Sequence, residues 1–155
     1  MWQSGGRVWR IWCGMMFEIR NVTPADLDAV TALESLCFPP AEAATREAFA
    51  YRIGAFPERF FVAEQDRQII GLINGCASGL ETIEDRLFEP RGHEPDGKNQ
   101  MIFGLVVHPD HRCCGVAAAL MERMIAFARK KDMERVILTC KEEKIPYYSK
   151  FGFQN

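Results

Sequence analysis

The sequence has no cysteine pair at metal-binding spacing. Its six cysteines (Cys13, Cys37, Cys76, Cys113, Cys114 and Cys140) form no Cys-x-x-Cys, and no histidine accompanies them at ligand spacing. The usual zinc patterns are therefore excluded, and no metal is expected. Net charge is also scarce: 19 Lys and Arg against 21 Asp and Glu leave −2, too little for a broad nucleic-acid footprint. No apolar run approaches the roughly 20 residues that span a bilayer, so no membrane partner is expected. Repeats and low-complexity tracts are absent. A secretory leader needs a longer apolar core than residues 1–15 contain, and a small-residue cleavage site. Unpaired cysteines suit a reducing, cytoplasmic compartment, with Cys76 and Cys140 read as small buried residues within apolar runs.

What the chain does have is an ordinary globular composition: 155 residues, 48% apolar and 26% charged. That length fits one domain able to bury about two-thirds of its unfolded surface. The most informative stretch runs from Met101 to Lys131. MIFGLVV is an apolar strand, Pro109 stops it for want of an amide hydrogen, and Gly115 supplies backbone freedom in the turn. A helix follows, with Leu120, Met124 and Phe127 on one face and Met121, Ile125 and Ala128 beside them, at core-facing spacing. The first amides of a helix lack intrahelical partners and sit at its positive pole, which favours phosphate. Here that pole carries Arg112, Cys113, Cys114, Gly115, Val116, Ala117 and Ala118. The alternative is a strand–turn–helix that binds nothing. For Cys113 and Cys114 the simpler expectation is two free thiols beside binding amides.

Residues 1–15, rich in Trp (Trp2, Trp9, Trp12), lack a period and read as a flexible extension or as a tail for a partner or membrane surface. Phe17 to Val22 reads as a strand. Thr23-Pro24-Ala25-Asp26 opens a helix that turns Leu27, Val30, Leu33 and Leu36 inward and ends at Phe38-Pro39-Pro40. A second helix spans Thr45 to Ile53. Arg59–Glu64 and Gln68–Ser78 form a hairpin through Asp66-Arg67. The polar stretch from Glu81 to Gln100 carries six acids against three bases and is either a solvated loop or an acidic lip for a cationic substrate. Arg135 to Cys140 is another strand, and Glu142 to Phe151 a short helix that tolerates Pro146 in its first turn and stops at Gly152. The order β-α-α-β-β-loop-β-α-β-α, with a βαβ unit from Met101 to Cys140, predicts an α/β or α+β class with a mixed sheet.

The run from Val107 to Ala117 resembles the acetyl-CoA signature of GCN5-related N-acetyltransferases (GNAT), which is Gln or Arg, two residues, Gly, one residue, then Gly or Ala. Arg112, Gly115 and Ala117 match it, and IPYYSKFGF resembles the family's fourth helix. PRGH (Pro90 to His93), LVVHP and LTCKEEKIPYYSKFGF are most similar to the serotonin (arylalkylamine) N-acetyltransferase branch. The resemblance covers residues 16–155. It implies a GNAT-type mixed, mostly antiparallel sheet flanked by helices, with acetyl-CoA as co-substrate. It also implies that the strand holding Leu105, Val106 and Val107 splays from its neighbour and grips pantetheine through its backbone. Cys113 to Ala118 would wrap the pyrophosphate, and Tyr148, rather than its neighbour Tyr147, would protonate the departing CoA thiolate. The implied acceptor is a primary amine of a small molecule or peptide, cationic if the acidic stretch faces it.

Two departures stand out. Met101 and Phe103 occupy the positions of that branch's two proton-relaying histidines. Glu34, Glu42, Glu81, His93, His108 or a water chain remain open as the base. Family members also continue past the Gly-Phe with two more strands, so a truncated domain, reduced stability or a homodimer formed by strand completion is expected. An acyl-CoA-binding or interaction module with weak or no activity is the competing expectation.

Overall fold

The structure is a computed structural model that describes residues 8–12 and 15–155. Its elements are β1 (Val8–Trp12), β2 (Met15–Asn21), α1 (Leu27–Cys37), α2 (Arg46–Ala55), β3 (Phe60–Gln65), β4 (Gln68–Ser78), β5 (Asn99–Val107), α3 (Val116–Lys130), β6 (Arg135–Leu138) and α4 (Ile145–Ser149). The six strands lie in chain order across one sheet. Every neighbouring pair is antiparallel except β5 and β6, which run parallel because α3 carries the chain across. The mixed, mostly antiparallel sheet expected from the sequence is thus present, and β6 lies at its edge.

β1 is a strand that no period in the sequence announced; it pairs with β2 from Val8↔Ile19 to Trp12↔Met15. The rest of the 1–15 extension lies outside the described residues, as do the side chains of its tryptophans.

Strand alternation sorts the core onto two faces. Phe61, Ala63 and Ile73 point to α3 and pack with Leu120, Met121 and Met124. Phe60, Val62, Leu72 and Val106 point the other way, against Val30, Leu33, Phe49 and Ile53 of α1 and α2. The β3–β4 hairpin turns through Asp66 and Arg67, both at positive φ (48° and 63°), the geometry of a type I′ turn.

Asp26 ties the entry of α1 to the sheet. Its carboxylate takes two N–H groups of Arg20 at 2.7 and 2.9 Å and the Thr23 backbone N–H at 2.8 Å. Thr45 caps α2 by accepting the Ala48 N–H at 3.1 Å.

Three expectations need correction. Leu36 is exposed, because Val30, Leu33, Glu34 and Cys37 form the inward stripe of α1 and leave Leu36 off it. Cys140 is exposed rather than buried, because β6 ends at Leu138. The single short helix expected at 142–151 is a 3-10 turn (Glu142–Lys144) followed by the five-residue α4, closed by Gly152 at φ 92°.

Candidate active site

β5 outruns β6. Their ladder spans Asn99↔Arg135 to Ile102↔Leu138, whereas β5 stays paired with β4 to Gly71↔Val107. Past Ile102 the two parallel strands therefore part, and a gap opens along β5. The backbone groups that face the gap follow from alternation. The His108 N–H donates to the Ile70 carbonyl at 2.8 Å, so His108, Val106 and Gly104 turn their backbone groups to β4. Leu105 and Val107 turn theirs into the gap. The Val107 carbonyl accordingly accepts from Arg112 Nε at 3.4 Å and from the Cys37 thiol at 3.6 Å rather than from β4.

A bulge precedes these residues. Asn74 pairs with Gly104 and Gly75 with Ile102, which leaves Phe103 without an opposing residue. Gly75 is required there, since a Cβ would run into the Met101 carbonyl.

The gap leads to the start of α3. Cys113 (φ 63°) and Gly115 (φ 79°) take left-handed conformations that turn the chain into the helix. The first helix-closing bond is Ala119 N–H to Gly115 O at 3.0 Å, so the amides of Val116, Ala117 and Ala118 have no carbonyl within the helix. Ala117 and Ala118 are half-buried and small, and Val116 is buried against the sheet. Cys113 is exposed and Cys114 half-buried. Arg112 is exposed, with its guanidinium folded back on the end of β5.

Tyr148 projects from α4 into the group that packs on the α3 face, which also contains Leu105, Val107, Leu138, Phe151 and Phe153. Burial pushes its phenol above the ordinary value, and the Tyr147 and Cys140 charges add to this. The Tyr147 ring stands against it at 5.2 Å, interplanar 76°.

On the other face of β5 lies a cleft of about 370 Å3. The α1–α2 connection forms one wall, and Phe103, Gly104 and Asn74 form the floor. Glu34, Glu42, Arg52 and Phe88 also line it. Glu34 is 5% exposed. Its Oε1 accepts the Ala44 N–H at 3.2 Å, while Oε2 is buried with no partner. Burial raises its carboxyl above the ordinary value, offset in part by the Ala44 N–H and the Arg52 charge. Arg52 donates to Asn74 Oδ1 at 2.9 Å, and burial pushes its guanidinium down to about 10. Glu34 was among the base candidates of the sequence, and its place in the Val30–Leu33–Cys37 stripe is what sets it apart from Glu42 and Glu81; Arg52 was missed, because a charged residue on a helix reads as solvated.

The remaining base candidates fall elsewhere. Glu81 is exposed and pairs with Arg135 at 2.7 Å. His93 Nδ1 accepts the Ala77 N–H at 3.1 Å and its ring lies 4.2 Å from Phe56, a strap on the 81–100 segment; burial and then the Arg59 charge hold its imidazole low. His108 Nδ1 accepts the Asp110 N–H. Met101 is fully buried among Phe56, Cys76 and Leu87, and Phe103 stacks on Phe88 at 4.8 Å. The 81–100 segment contributes Phe88 to the cleft, while Glu94 is spent on the Gly79 N–H at 2.6 Å and Glu84 on Arg86 at 3.1 Å.

The acetyltransferase (GNAT) family model matches residues 27–153. The chain belongs to this family. Probable hydrolase YhcX of Bacillus subtilis is 29% identical over 142 residues, which cover 86% of the chain and 27% of that protein. The chain thus spans about a quarter of YhcX. Uncharacterized N-acetyltransferase YkwB, from the same organism, is 28% identical, with 91% of the chain and 68% of that protein covered. Among solved structures, the GphF GNAT-like decarboxylase in complex with isobutyryl-CoA superposes with a TM-score of 0.72 at 26% identity, covering 88% of the chain and 72% of its own. Serotonin N-acetyltransferase of Mesocricetus auratus is 32% identical over only 63 residues, 40% of the chain and 30% of that protein. Among the described residues no group of three or more potential ligands could hold a metal ion, and no helix is long and apolar enough to cross a membrane.

Proposed function

We propose that this domain is an acetyl-CoA-dependent N-acetyltransferase in which a primary amine attacks the thioester directly. The observation that carries this is the gap past Ile102↔Leu138, lined by the outward-turned backbones of Leu105 and Val107 and continuous with the N-terminus of α3. Donors and acceptors along the strand suit the amides of pantetheine, and the helix start suits a pyrophosphate. Val106 supports the grip from behind, with its own backbone paired to Leu72 and its side chain in the α1–α2 core.

The cleft on the opposite face is the acceptor site, and the bulge at Phe103 brings the two together at Gly104. Glu34 takes a proton from the bound ammonium. The freed amine nitrogen attacks the thioester carbonyl carbon, whose developing oxyanion needs a fixed donor along β5. The carbon–sulfur bond breaks, the sulfur takes the Tyr148 hydroxyl proton, and the second nitrogen proton returns to the tyrosinate. Products are the acetamide and CoA, with one net proton passing through Glu34 to solvent. The likeness to a CoA-bound structure and to a named N-acetyltransferase supports the cofactor class. The acids at the cleft, Glu34 and Glu42, support a cationic amine.

The test is release of CoA thiol from acetyl-CoA across polyamines, arylalkylamines, amino acids and lysine peptides. Transfer to at least one class is expected. Acetyl-CoA binding with silence across the panel would favour the competing acyl-CoA-binding module, which the apolar Met101 and Phe103 support.

A further inference from the structure

The acceptor cleft contains a cation that the transfer chemistry does not use. Arg52 is 5% exposed. A guanidinium presents five N–H donors, and among the described residues one acceptor meets them, the neutral Asn74 Oδ1. The Phe103 and Phe49 rings lie 4.6 and 5.8 Å from its centre and fix its plane without offering a lone pair. Burying a charge this poorly paired costs free energy unless something else completes it. Glu34 helps only through its charge, because no hydrogen bond or ion pair joins the two side chains, and Glu34 Oε2 is itself buried without a partner. One cleft therefore displays a guanidinium and a carboxylate that feel each other's charge, each open to a bonded partner and each beyond hydrogen-bond reach of the other. A diamine would answer Glu34 and repel Arg52. A plain alkylamine would leave Arg52 uncompensated. A molecule that is cationic at one end and anionic at the other meets both. The cleft, at about 370 Å3, lies at the small end of ligand sites.

Resting on the assignment of this cleft as the acceptor site, we propose that Arg52 sets its specificity and that the acceptor is a small amino acid, which gives its carboxylate to Arg52 and its amine to Glu34. Planar guanidinium–carboxylate pairing supplies orientation as well as affinity, so the amine is presented to the thioester in one pose.

The experiment compares pairs matched in length with and without a carboxylate: γ-aminobutyrate against butylamine, β-alanine against propylamine, and alanine against alaninamide. CoA release gives kcat/KM for each. In at least one pair the carboxylate member is expected to win by roughly tenfold or more, the worth of a charged hydrogen bond. Arg52→Gln is expected to collapse that ratio towards one, and Arg52→Lys to keep part of it. Equal or better use of the carboxylate-free partner in every pair overturns the proposal. So does an Arg52→Gln variant that slows both members of a pair alike, the signature of a merely structural arginine. If Arg52→Gln does not fold, the wild-type ratio and Arg52→Lys decide. If acetyl-CoA stabilises the wild type but no acceptor in the panel is acetylated, the transfer reading is what fails. Calorimetric titration of the same amino acids into the CoA-bound protein then decides the carboxylate site: binding by the wild type that Arg52→Gln loses upholds it, and no binding overturns it.

Discussion

An ordinary phenol, with a pKa of about 10, keeps its proton at neutral pH, and burial moves Tyr148 further from the phenolate; a donor to a leaving thiolate must start in that state. Tyr148→Phe is expected to lower turnover about 100-fold and leave acetyl-CoA affinity within about twofold; steady-state kinetics with a separate binding titration check this. Glu34 is shifted in the same direction and by the same cause, for a different task. Burial raises its carboxyl, so the acid limb of the rate–pH profile is expected above the ordinary carboxylate range of about 4.3. Glu34→Gln should remove that limb along with most activity. The same shift acts on stability. A carboxyl whose folded pKa lies above its unfolded one stabilises the fold most below the unfolded value, and that contribution fades as pH rises through the folded value. Glu34→Gln is therefore expected to cost less stability near neutrality than in acid, as read by urea melts at the two pH values.

At the scale of elements, two glycines set where the strands and the helix can go. At Gly75 the β4 backbone lies directly against the Met101 carbonyl. Gly75→Ala is expected to cost about 3 kcal/mol and to disturb the Phe103 bulge, because backbone cannot move aside as a side chain can. Thermal melts check the stability loss. Gly115 turns the chain into α3 at φ 79°. Gly115→Ala pays about 1–2 kcal/mol of left-handed strain, and an amide turn that relaxes to avoid that strain no longer fits a pyrophosphate. Acetyl-CoA affinity is expected to fall tenfold or more while the amine KM changes little, measured by titration and kinetics.

At the scale of the whole molecule, the proposed cofactor gap and the acceptor cleft lie on opposite faces of one strand, and both draw on distant parts of the chain. A ligand in the proposed gap would touch β5, the start of α3 and α4 together, so its binding free energy would oppose unfolding of the sheet. At 100 times its dissociation constant, acetyl-CoA is expected to add about 2.7 kcal/mol. For a domain of this size that is a rise of roughly 5–10 °C in Tm, readable by scanning fluorimetry. The apolar face of α3, the strand at 101–107 and the hairpin through Asp66-Arg67 were legible in the sequence, because each depends on local period or turn chemistry. β1 was not, because a short edge strand beside Trp-rich sequence carries no alternation of its own and exists only through pairing with β2.

The sequence by itself determined most of the elements, β1 apart, and the order in which they follow, since hydrophobic period, proline, glycine and caps act over a few residues. It also marked the turn at Arg112–Gly115 and the aromatic run at Tyr148. Tertiary structure alone decided that β6 stops short at Leu138 and leaves the Leu105 and Val107 backbones open, because strand length is set by what packs beside it. Tertiary structure likewise brought Glu34 of α1 and Arg52 of α2 to one cleft. Burial, pairing and field are properties of the space between elements, and no local spacing encodes them.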